Sequence, residues 1–119
     1  MFPPIYALCT ADSAVSELLG SRLYPAGDAP QGVALPYAVW QIIPGGAPEN
    51  YLADRPDADS YTLQVDVYAS SVSAAGDVTE ALRDVIERHA YIVRWGALDT
   101  DPDTGNRHIS FDVDWIVHR

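Results

Sequence analysis

The chain has no lysine. All seven of its basic residues are arginine, against seventeen acidic side chains, giving a formal charge of −10 over 119 residues. This balance argues against loose binding to nucleic acid, which needs clustered Lys or Arg to displace counterions. The general use of such a charge is solubility; a narrower use is a surface past which DNA can slide without sticking. Cysteine is nearly absent too. Cys9 stands alone, so no internal disulfide can form, in agreement with a reducing compartment. No apolar run approaches the roughly 20 residues that span a bilayer. The opening MFPPIYALCTAD lacks the charged start and apolar centre of a signal peptide. The expectations are synthesis in the cytoplasm and no membrane partner.

Catalytic and metal signatures are equally scarce. His89, His108 and His118 show neither HExxH spacing nor paired cysteines, so no zinc site is indicated. No GxSxG elbow serves a nucleophile, and Gly45–Gly46 lacks the lysine of a phosphate loop. Asp99, Asp101 and Asp103 alternate like calcium ligands, but Thr104 and Ser110 stand where an EF-hand needs Gly and Glu, and Pro102 intrudes. A solvated turn is the better reading. Asp66, Asp112 and Asp114 fall on the polar sides of strands, where carboxylates are usually solvated rather than catalytic. The expectation is a protein that is no enzyme, with no cofactor and no metal.

What is present is alternation. In SYTLQVDVYA, Ser60 to Ala69, residues Tyr61, Leu63, Val65, Val67 and Ala69 take one face, and Thr62, Gln64, Asp66 and Tyr68 the other. Ser70 and Ser71 then offer caps, after which Val78, Leu82, Val85, Ile86 and His89 recur at helical spacing. Arg107 to His118 is a second strong strand, pairing as a hairpin with Tyr91 to Leu98 across DTDPDTGN. Residues 4 to 19 read as helical, with a restart at Asp12 or Ser13 and a stop at Gly20. Arg22 to Tyr24 is a short extended piece before a Pro-rich loop. The predicted fold is α+β over residues 1–119 as one domain. It has a mainly antiparallel sheet of about four strands with two main helices packed on it, in the order αββαββ. A chain of this length buries roughly two-thirds of its unfolded surface without disulfide or metal.

Two stretches are candidate interfaces. PYAVWQII, Pro36 to Ile43, is apolar on both faces. If Val39 faces the core, Trp40 faces away from it, toward either another subunit or an internal helix. Residues 44–59 combine Pro, Gly and the carboxylates Glu49, Asp54, Asp57 and Asp59. They read as a long loop, either an arm that orders on a partner through Tyr51, Leu52 and Arg55 or a plain connection.

The order of these pieces carries a resemblance. A helix ending ELLGSRLYP, a Pro-rich loop, PYAVWQII, a polar loop, YTLQVDVYA, an amphipathic helix and a closing hairpin span almost the whole chain. LYP followed by ALPYAVWQ, and QVDVYA running into a Ser-started helix, are its most specific parts. The chain resembles the tail-completion proteins of long-tailed bacteriophages, also called tail terminators. The resemblance implies a subunit that forms a hexameric ring on the head-proximal end of the tail tube, in the virion. The ring would stop tube growth and meet the head connector protein while DNA passes without specific binding. No active-site residues are implied. Another head-to-tail connector protein, or a small dimeric metabolite-binding α+β module, fits the same pieces less fully.

Overall fold

In the computed structural model, which describes residues 1–119, the alternating stretch around Leu63 is the central strand of the sheet. The chain runs α1 (Ile5–Thr10), α2 (Ser13–Leu19), β1 (Leu23–Pro25), β2 (Tyr37–Pro48), β3 (Ala58–Ala69), α3 (Val72–Ile86), β4 (Tyr91–Thr100) and β5 (Arg107–His118). The sheet order is β1-β2-β3-β5-β4, with β1 parallel to β2 and every other neighbour antiparallel.

Two expectations about this architecture are therefore corrected. The sheet is mixed and has five strands rather than about four antiparallel ones. The order is ααβββαββ rather than αββαββ. Leu23–Pro25 is too short to show a period of two, but long-range bonds make it a strand. The Ala38 N–H donates to the Arg22 carbonyl at 3.0 Å, and the Ala26 N–H donates to the Trp40 carbonyl at 2.8 Å. Arg22 strengthens the corner by donating to the Pro36 and Leu18 carbonyls. The first helical stretch divides at Asp12, as its sequence allows. The Asp12 carboxylate accepts from the Val15 N–H and starts α2 afresh, and Gly20, at φ 57°, ends it.

The largest departure lies between Pro44 and Asp59. Instead of one long loop, β2 continues to Pro48 and β3 begins at Ala58, leaving a turn of residues 49–57. Residues 44–46 form a bulge between the Ile43–Thr62 and Ala47–Ser60 pairs. Gly46 is required there because a Cβ would collide with the Ser60 backbone. Composition suggested a loop; pairing with β3 overrides it.

All three helices cover one face of the sheet. Ser71 caps α3 by accepting from the Ala74 N–H, and α3 buries Ala75, Val78, Leu82, Val85 and Ile86, while His89 is exposed beyond its end. With Ile5 and Cys9 of α1 and Val15 and Leu19 of α2, these meet Leu63, Val65, Val67, Phe111, Val113 and Trp115. The alternate residues of β2, β3 and β5 form a second face that no element of the chain covers.

Candidate assembly surfaces

The turn after β2 is exposed and firmly based. Tyr51 pairs with Asp54 across its tip, and Ala53 takes a left-handed φ of 60°. Leu52, at the apex, is 100% exposed. Tyr51 and Arg55 are also exposed, and Arg55 engages the turn only through its backbone N–H, which donates to Asp54. Arg119, just after β5, pins the base. The Arg119 guanidinium donates to both oxygens of Asp59 and to the Pro56 carbonyl, and its N–H donates to the Asp57 carbonyl at 2.7 Å. Arg119 holds the Asp59 carboxyl below its usual range. Tyr51, Leu52 and Arg55 are thus displayed together on one short projection.

Trp40 sits elsewhere. It shares the helix-covered face with Ala38, opposite Val65, and packs half-buried against the core, while Val39 and Gln41 lie on the open face. The inward face of β2 is therefore that of Ala38 and Trp40, not that of Val39. An apolar run on both sides gives no period from which to choose. The indole Nε1 is buried without a hydrogen-bond partner. The ring borders a shallow hollow of about 260 Å³ with Phe2, Pro25, Ala26, Gln41 and Ile42.

The open face is polar and cross-linked. Tyr37 stacks on Tyr68 at 5.0 Å, and Tyr68 on His108 at 4.8 Å. His108 is held between strands, with Nε2 at 2.7 Å from Asp66 of β3 and Nδ1 at 3.0 Å from Asp99 of β4. Burial, the largest single influence on His108, lowers its pKa. Hydrogen bonds and attraction to both carboxylates outweigh it, and the net shift is upward. Farther along, Arg94 pairs with Asp112 at 2.8 Å and the Thr62 hydroxyl donates to Asp114 at 2.9 Å. Asp66, Asp112 and Asp114 are thus each engaged by a different partner and do not form a carboxylate pair. Cys9 lies buried, and burial with the nearby Asp12 pushes its thiol up to about 12, so it is no nucleophile near neutral pH.

The profile described as tail completion protein gp17 matches residues 3–118. The chain belongs to this family of bacteriophage structural proteins. No curated protein matches it by sequence. Among solved structures, this tail completion protein is similar to a chain from the virion of a native gene transfer agent particle. That likeness has 16% identity and a TM-score of 0.69, covering 97% of this chain and 92% of the other. It is also similar to the gp17 protein of bacteriophage SPP1, with 12% identity and a TM-score of 0.59, over 97% and 86% of the two chains. At these identities the likeness is one of fold. For a tail completion protein, surfaces that meet other subunits are the natural functional sites.

Two surface features escaped sequence reading. The His108 clamp joins residues distant in the chain through a register that alternation alone does not define. The exposed apolar side chains of β4, Tyr91, Val93, Trp95 and Leu98, occur in a segment whose strand character was visible but whose edge position was not.

Proposed function

We propose that this protein caps the head-proximal end of the phage tail tube as a hexameric ring. The ring ends tube polymerisation and presents a surface to the head connector. The observation that carries this reading is the family match over residues 3–118; the fold shared with two virion-related chains supports it. Its partners are copies of itself, the tail tube protein and the connector protein. It is made in the host cytoplasm and resides in the virion.

The mechanism is selective binding without chemistry. A ring that matches the last tube layer on one side, and offers no tube-like surface on the other, ends a heterologous stack. The projection of Tyr51, Leu52 and Arg55 is the contact arm, and its anchoring by Arg119 supports that role because a fixed base reduces the ordering penalty on binding. The acidic balance suits a passage for DNA, which a charge of −10 repels.

Disrupting the gene in its phage or prophage and viewing the particles by electron microscopy tests the function. Overlong tails beside full, unattached heads are expected. Tails of normal length that fail to join heads would move the protein to a neighbouring connector layer. Wholly normal infectious particles would overturn both and favour the metabolite-binding module.

A further inference from the structure

We propose that copies of this chain join head to tail through their sheet edges, the open edge of β2 in one copy seating on the Tyr91–Leu98 strip of β4 in the next. This rests on the ring reading above and assigns its subunit contact.

The first edge is exposed because β1 is short. It pairs with only Ala38, Val39 and Trp40, so β2 is uncovered on that side from Gln41 to Pro48. The Ala38 N–H and the Trp40 carbonyl point toward β1; by strand alternation Ile42 directs its N–H and C=O the same way, past the end of β1. Native edges are commonly guarded by charge. Here no charged side chain occurs from Ala29 through Pro48. Ile42 and Phe2 add exposed apolar surface beside the free backbone.

The second edge lies across the sheet. Tyr91, Val93, Trp95 and Leu98 are each about half exposed or more, although Trp95 rests one side on Phe111. The only charge in the strip, Arg94, is neutralised by Asp112. Through the strand pairs, Gln41 shares a row with Arg94, and Ile43 with Tyr91. The uncovered part of β2 therefore lies level with the Tyr91–Arg94 end of the strip, while Trp95 shares a row with Trp40, which β1 pairs.

Charge selects the occupant. At −10, two copies repel each other overall, including at α3, where Asp77, Glu80, Asp84 and the following Glu87 outnumber the one Arg83 that pairs with three of them, and at the turn carrying Asp101 and Asp103. A cationic partner would be drawn to those acidic surfaces. A second acidic copy fits where charge is missing, and both edges meet that requirement. Because the two patches differ, the contact is heterologous, leaving each copy one free edge until a ring closes.

Sedimentation of the full-length protein across concentration tests this with Ile42→Glu, Val93→Glu and the control Val72→Glu, which adds the same charge on α3. Wild type and the control are expected to associate beyond a dimer. Each edge variant alone should be monomeric, and an equal mixture should recover a heterodimer, since each variant keeps one intact edge. Ile42→Gln and Val93→Gln weaken the same contact without adding charge, with circular dichroism melts verifying the fold. A monomeric wild type, edge variants that still associate, dissociation by the control, or a mixture that stays monomeric would overturn the proposal. The particle phenotype of gene disruption does not depend on which edge is used, so failure here leaves the capping function standing.

Discussion

The two faces of the central sheet are built on different physics. On the covered face, Leu63, Val65, Val67, Phe111 and Val113 are fully buried beneath three helices, and stability there comes from apolar area removed from water. On the open face the same strands carry Tyr68, Gln64, Asp66, His108, Asp112 and Asp114, joined by stacking, hydrogen bonds and ion pairs within reach of solvent. Screened pairs of this kind contribute less each, but they fix strand to strand. One face holds the fold together, while the other leaves a shaped polar surface available.

That contrast predicts an order of effects. Truncating the centre of the covered face, Phe111→Ala, should destabilise by about 3–5 kcal/mol, read from urea unfolding, because the site leaves a cavity. A loss under about 1 kcal/mol would erase the distinction between the faces.

A smaller effect is expected on the open face, with a defined pH sign. The folded pKa of His108 is raised, so its contribution is fully present below the unfolded histidine value near 6.5 and is lost as pH rises through the folded value. With the ring partly solvated, the loss should be below about 1 kcal/mol. Following the His108 ring by NMR beside urea midpoints checks both sign and size. A midpoint that rises over that window would reverse the assignment.

The smallest stability effect belongs to the projection. Tyr51→Ala with Arg55→Ala should leave the melting curve within about 0.5 kcal/mol of wild type, as exposed substitutions do, yet reduce tail joining in complemented phage. Unchanged assembly and joining would remove the arm from the mechanism.

Much of the covered face was readable in advance. Strands as long as β3 and β5 repeat their alternation often enough to declare themselves, and α3 shows its stripe and its Ser71 cap. The extended character of Arg22 to Tyr24 was readable, but its place as β1 in the sheet was not, since three residues carry no period and its partner lies beyond a Pro-rich loop. Nor was the inward side of Trp40, because Val39, Ile42 and Ile43 make both faces of β2 apolar. Pro44, Gly45 and Gly46 disguised a bulged strand as a loop. Asp66, Asp99 and His108 meet only once the register of three strands is known. The exposed placement of Tyr51, Leu52 and Arg55 was easier, since they fall within a turn that composition already marks.

Cys9, sealed beneath the helices, gives the folded protein a silent thiol. A cysteine placed on either sheet edge can therefore carry a label alone, with the native sulfur hidden from maleimide reagents. The same concealment makes Cys9 a timer, since its reaction with such a reagent records how often the covered core opens.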